Sequence, residues 1–409
     1  MSASPLDLST ADTQLPAARA NQRSLIFGAL GVLGLAGSLV GIFGEASRAQ
    51  ALSGYLVAFM FVVTLAVGGM FFALLQHLVF ARWSVAVRRI AENFGATTWL
   101  LIPLFIPIAL FAKEIFPWWP GHVFNNAEYQ QAVEHILPEK EAYLNPTRFW
   151  IFAAIYLASW TFLGLVVRKR SVAMDKTGDV SQTLALRKMA PLGVLVFALS
   201  LTFAGFDWMM SLEPTWYSTM FGVYTFAGSM LSSLALIALT GRLLQSNGYL
   251  KNVLNEEHFH DLGKLIFGFI VFWAYIAFSQ FFLIWYANIP EETVWYRRHY
   301  EGGWSSVTWA LVFGHFAIPF FAILSRFAKR NAMLESTVAA LLIGMHYVDL
   351  YWVITPLFRP EFGFVWTDAA ALVGLTGLFL AVASRNFGSA ALVPVKDPHL
   401  ADSLEYDNG

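Results

Sequence analysis

Residues 50–79 read QALSGYLVAFMFVVTLAVGGMFFALLQHLV, and the whole stretch passes without an Asp, Glu, Lys or Arg. It exceeds the roughly 20 residues that a helix needs to cross the hydrocarbon of a bilayer. Its apolarity is continuous and shows no two-residue alternation, which marks a membrane-spanning helix and not a barrel strand. Nine more stretches of this kind lie on either side, so that the expected spans are 24–44, 50–79, 94–116, 147–167, 189–212, 215–241, 262–288, 303–326, 332–357 and 364–384. The fold class expected is an all-α polytopic membrane protein with about ten transmembrane helices, two four-helix bundles plus two flanking helices.

Composition agrees with that reading. Hydrophobic residues make up 57% and charged residues 13%, against about 25% charged in a soluble domain. A net charge of −1 offers no electrostatic footprint for nucleic acid. The absence of cysteine excludes a disulfide framework, a cysteine-ligated iron–sulfur cluster and covalently attached c-type haem.

The chain divides into a polar leader, residues 1–23, expected to be disordered and cytoplasmic; a ten-helix membrane domain, 24–385; and a polar cytoplasmic tail, 386–409, expected to be poorly ordered. Within the domain, bundle one covers about 50–212 and bundle two about 215–357, flanked by helices 24–44 and 364–384. Lys and Arg concentrate in alternate loops, most densely at Arg168, Lys169, Arg170, Lys176, Arg187 and Lys188. The positive-inside rule then puts both termini in the cytoplasm and the loops 117–146 and 289–302 on the opposite side. The first of these loops should carry a short surface helix over Asn126 to Glu141.

A weak internal repeat is visible. Asp207 stands seven residues before Pro214 and Asp349 seven before Pro356, each near the outer end of the last helix of a four-helix set. The two sets have the same orientation, which makes the repeat parallel and not inverted.

Ionisable groups at membrane depth are costly and point to function. Burial disfavours the charge of a carboxylate, so acids such as Asp207 and Asp349 suit proton exchange; the alternative is an Asp bonded to a neighbouring aromatic residue. His346 lies three residues before Asp349 on the same helical face, and His315 in the preceding span should lie at similar depth. Pro319, four residues after His315, leaves the His315 carbonyl without its helical donor. His315, His346 and Asp349 thus form a candidate proton path, with His77 at its inner mouth. Two histidines at matched depth also suit axial ligation of haem b, although only one such pair exists and no small-residue groove surrounds it. In span seven, Tyr275, Ser279 and Tyr286 share a helical stripe beside Gln280, and these four are the candidates for a quinone pocket or for packing between helices. His258, His260 and Asp261 read as solvated surface, and no metal site is expected. Gly37 and Gly41 in span one suit close helix contact, including contact with another subunit.

Three runs carry a family resemblance: FDWMMSLEPTWYSTMFG from Phe206 to Gly222, FSQFFLIWYANIPEE from Phe278 to Glu292, and HYVDLYW from His346 to Trp352. They resemble the F subunit of bacterial alternative complex III, a quinol:cytochrome c/HiPIP oxidoreductase, among the NrfD/polysulfide-reductase-type membrane subunits. The resemblance implies a subunit of the bacterial inner membrane with no redox centre of its own. Its expected partners are a second NrfD-like membrane subunit, a periplasmic iron–sulfur protein, multihaem c-type cytochromes, the complex's other membrane subunits and membrane lipid. It implies that the sister subunit holds the main site for menaquinone or ubiquinone and that this chain contributes a proton-conducting path or a second quinone pocket, with no covalently bound cofactor. Two other classes remain open on sequence alone: a secondary transporter and a purely structural membrane anchor.

Overall fold

The computed structural model describes residue 8 and residues 10–45, 47–124 and 126–407, and among these every regular element is helical. Ten helices are long and apolar enough to cross a membrane: α1 (Ala17–Phe43), α2 (Arg48–Leu78), α3 (Val85–Leu110), α4 (Pro146–Thr177), α5 (Ser181–Leu212), α6 (Phe221–Ser246), α7 (Glu256–Ala287), α8 (Trp304–Ala322), α9 (Ala332–Leu357) and α10 (Trp366–Gly388). The chain is therefore an all-α polytopic membrane protein.

Local chemistry sets several helix ends. The Asn145 side chain accepts from the Arg148 amide ahead of α4, with Pro146 in the first turn, and Gly178 closes that helix in the left-handed conformation at φ 69°. Asn255 and Asn331 cap α7 and α9 in the same way. Helices α1, α3, α4, α5 and α7 all begin or end beyond the apolar windows read from sequence, because polar residues continue the helix past the hydrocarbon. In α3 this extension is amphipathic, and a 3-10 turn at Thr98–Leu100 separates it from the apolar part.

Helices α2–α5 close one four-helix bundle and α6–α9 a second. The bundles meet where α6 packs on α2 and α5, and α9 on α2. Helix α2 is buried along its whole apolar window. The flanking helices α1 and α10 pack on each other and together on α2. Their contact is backbone to backbone: a Cβ on Gly34 would stand 2.4 Å from the Gly374 nitrogen, and one on Gly377 2.7 Å from that of Gly31. Gly37 and Gly41 face Ala370 and Thr367 of α10, so the small-residue face of α1 is used within this chain and not by another subunit.

The face that carries both termini is ordered, which corrects two sequence expectations. The Asp12 carboxylate accepts from the backbone amides of Lys251 and Asn252 at 2.7 and 3.1 Å. The Leu392 amide donates to the Thr13 carbonyl at 2.7 Å. The segment after α10 crosses this face and is fastened by Arg88 to Asp397 at 2.6 Å, Ser403 to the Trp83 carbonyl, and Tyr406 to Asp261. Leu392, Val393 and Leu400 are buried beneath it. The tail reads as polar yet supplies both apolar anchors and ionic partners. Of the leader, residues 1–7 and 9 lie outside the described residues, and Ala17 to Arg23 are the first turns of α1. The same covering buries His258, His260 and Asp261, which are not solvated surface.

At the opposite face the expected surface helix is present as Ala127–Lys140, capped by Asn126. Its Tyr129 hydroxyl donates to Glu213, and Arg298 pairs with the same buried carboxylate.

Candidate functional site

Bundle two and α2 converge on one buried acid. Asp349 on α9 is 2% exposed. Tyr224 of α6 donates its hydroxyl to Oδ1, and Trp273 of α7 donates its indole N–H to Oδ2 at 3.2 Å. No ion pair reaches Asp349 among the described residues. Its hydrogen bonds come from neutral donors alone, which leaves any charge on the carboxylate without a counter-ion in a low-dielectric interior.

His346 is equally buried, and its Nε2 lies 2.8 Å from Thr64 Oγ1 on α2. The Thr64 hydroxyl has one proton and turns it back to the Met60 or Phe61 carbonyl, each at 2.9 Å. With the Thr64 proton so turned, Thr64 accepts from His346, Nε2 carries the imidazole proton and Nδ1 presents a lone pair; the other tautomer reverses that bond. That Nδ1 has no protein partner. A cavity of about 10 Å³, lined by Tyr224, Gly228, His346 and Asp349, opens beside it. This is room for about one water. Gly228 of α6 makes the space: a Cβ there would sit 3.1 Å from His346 Nδ1 and 3.7 Å from Asp349 Oδ2. Both atoms border the same small cavity, and no direct hydrogen bond joins them.

The third member of the expected path is close by but not bonded. His315 is fully buried, with neither ring nitrogen partnered. Its ring stacks on Trp273 with centroids 4.2 Å apart. One indole thus covers His315 with its face and holds Asp349 with its N–H. His315 lies in a π-helical stretch, Leu311–Ala317, just before Pro319. Such widened turns mark many functional sites. The two histidines have different neighbours, Thr64 for one and Trp273 for the other.

Asp207 occupies the matching place in bundle one but has different company. Arg148 reaches Oδ1 at 2.8 Å and Tyr156 donates to Oδ2 at 2.8 Å, both from α4. It is a satisfied ion pair. His77 is buried near the termini face with Nε2 unpartnered. It stands thirteen residues along α2 from Thr64, about 20 Å away, and no hydrogen-bonded chain links it to Asp349 among the described residues.

The span-seven candidates do not converge. Tyr275 is 63% and Tyr286 77% exposed, so their stripe faces away from the bundle. Gln280 is buried and engaged with the Ser218 and Tyr296 hydroxyls, and Ser279 is half-buried. Sequence reasoning missed Tyr224, Trp273, Thr64 and Gly228. It also missed the buried pairs Glu213–Arg298 and Arg359–Asp368, whose Glu213 and Asp368 are 1% and 0% exposed.

Outside the spans, His299 is enclosed by Trp295, stacked at 3.7 Å between centroids, and by Trp352. Burial pushes its pKa down to about 4, against the opposing pull of the Trp295 and Val353 carbonyls at its two nitrogens. Among the described residues no group of three or more His, Asp or Glu is placed to hold a metal ion. No protein-family model matches the chain, and no curated protein matches it either.

Proposed function

We propose that this chain is an integral membrane subunit of a respiratory quinol:electron-acceptor oxidoreductase of the alternative complex III type, with no redox centre of its own, and that it contributes a proton-conducting path. The observation that carries the reading is Asp349, buried between two neutral donors and lining the same water-sized cavity as His346, whose Nδ1 has no protein partner. An acid without a counter-ion beside a base and a water is what a proton relay needs, whereas an anchor needs only satisfied groups such as Asp207. The three sequence runs that resemble the F subunit supply the respiratory context, and Asp349 and His346 both lie in the third.

In this reading the membrane is the bacterial inner membrane, both termini are cytoplasmic, and Asp349 lies in the half nearer the periplasm. The partners are a second NrfD-like subunit, an iron–sulfur protein and multihaem c-type cytochromes. Those proteins carry the electrons, and menaquinone or ubiquinone is the reductant's carrier.

The test is purification from native membranes in mild detergent, with mass spectrometry of what co-elutes. Co-elution with an iron–sulfur protein, c-type cytochromes and a similar membrane subunit supports the assignment. Elution alone, with no haem or cluster, defeats it and makes substrate transport the next assay.

A further inference from the structure

Helices α4 and α5 run antiparallel and are joined by the short turn 178–180. Their outward sides are apolar, with Phe162 and Leu165 exposed on α4 and Leu192 and Leu195 on α5. One turn beyond Leu165 stands Lys169, and one turn before Leu192 stands Lys188, both exposed. Lys169 is eight residues from Thr177 and Lys188 seven from Ser181, about 12 and 10 Å above the turn. The two lysines therefore sit at matched depth, where the apolar side of each helix ends and phospholipid headgroups begin.

Arg170 and Arg187 are their chain neighbours, and both are held by neutral groups. Arg170 reaches from α4 to the Gln182 side chain of α5 at 3.2 Å. The Arg187 guanidinium lies over the Phe80 ring at the end of α2, 4.7 Å from its centroid. Phe80 is left-handed at φ 54° and 59% exposed, so its ring forms a ledge outside the bundle for the guanidinium. None of the four cations has an ion pair among the described residues. The acids nearest in the chain are committed, Asp175 to Arg89 at 2.9 Å and Asp179 to the amide and hydroxyl of Ser181. Elsewhere on the same face the cations are paired: Arg82 with Asp402, Arg88 with Asp397, Lys264 with Asp261 and Arg330 with Glu257. Like charges without a counter-ion repel one another. The positive-inside preference sets the side of the membrane for both groups and does not account for this division.

We propose that Lys169, Arg170, Arg187 and Lys188 bind the headgroup phosphate of an anionic phospholipid, in the leaflet on the face that carries both termini. Arginine and lysine donors suit phosphate oxygens, and the Arg187 guanidinium is already held in place. The acyl chains of a lipid so placed run along the exposed Leu165 and Leu192, so that one molecule meets both the charge and the apolar side above it. A zwitterionic phospholipid brings its own cation to the site and gains less from four positive groups. The inference uses the membrane fold and is independent of the respiratory reading.

The full-length chain, stripped of lipid in mild detergent, is titrated with dioleoylphosphatidylglycerol or dioleoylphosphatidylcholine and followed by native mass spectrometry. Phosphatidylglycerol should bind about tenfold or more tightly. Arg187→Gln should weaken it about fivefold, the share of one cation beside an anionic headgroup, and Lys169→Gln combined with Lys188→Gln should weaken it further. Lys264→Gln, which removes a cation that already has Asp261, should leave it unchanged. A photoreactive phosphatidylglycerol should label peptides within 162–192. Equal binding of the two lipids overturns the proposal. So does an equal loss in Lys264→Gln, which assigns the preference to the charge of the whole face. Competition by inorganic phosphate at the lipid's own concentration also overturns it, since the cluster is then a plain anion site with no need of a membrane. The wild-type comparison of the two lipids decides the matter even where a variant does not fold.

Discussion

Asp207 and Asp349 hold matching places at the ends of their bundles, yet only Asp207 has an arginine, Arg148 at 2.8 Å, among the described residues. On the relay reading the difference separates a structural acid, Asp207, from the proton-exchanging one, Asp349. Asp349→Asn keeps the shape and an acceptor for Tyr224, so assembly should persist. Proton-coupled turnover of the complex should fall about tenfold or more. Unchanged turnover and proton release in that variant would end the relay reading.

Asp207→Asn should behave in the opposite way. It strands the Arg148 guanidinium, whose side chain is 14% exposed. Breaking such a pair costs several kcal/mol when both groups are buried, and about 2 kcal/mol here once that exposure is allowed for. The expected result is a lower melting temperature in detergent with turnover per intact complex preserved. A loss of turnover at wild-type stability contradicts it.

Gly228→Ala probes the cavity. The added methyl enters the space between His346 Nδ1 and Asp349 Oδ2, with contacts of 3.1 and 3.7 Å. A bridging water has to leave, and turnover should drop while solvent-isotope sensitivity changes. Gly268→Ala, where a Cβ meets nothing within 4 Å, is the matched control and should leave both unchanged.

His299 predicts a pH dependence of stability. Its folded pKa, about 4, lies below the usual 6.5, so the unfolded chain takes up the proton first. Stability is therefore full above pH 6.5 and declines as the pH falls toward 4, by about 3 kcal/mol in all for this group (6.5 − 4 = 2.5 pKa units). Thermal melts between pH 7 and 4 should show the decline, and His299→Gln should flatten it. A parallel slope in the variant assigns the effect to other groups.

The tail offers a fifth test. Asp397→Ala removes one of two carboxylates held by Arg88 and leaves Glu92 at 3.2 Å. A loss of about 1–2 kcal/mol is expected, and cleavage by protease near residue 390 should accelerate.

The ten helices were legible because continuous apolar runs have few other readings. His346 and Asp349 were legible as a pair because a spacing of three fixes a shared face. What a spacing does not give is the direction of that face. The Tyr275–Ser279–Tyr286 stripe was regular and turned outward, while Tyr224, Trp273 and Thr64 come from three other helices whose rotation no local pattern encodes. Arg88, Arg89 and Glu92 fall outside the expected apolar spans, 50–79 and 94–116. They became helix because each found a partner, Arg89 taking both Glu92 and Asp175 at 2.9 Å. The tail misled for the same reason, since its contacts are with residues hundreds of positions earlier.

The pairing of α1 with α10 fixes the order in which this molecule can be completed. The glycine face of α1 precedes in the chain its main partner α10, from which eight spanning helices separate it. The final helix then closes the fold, and the segment behind it ties the two ends together. A chain that stops before residue 366 therefore leaves the glycine face of α1 without the backbone it is shaped to meet.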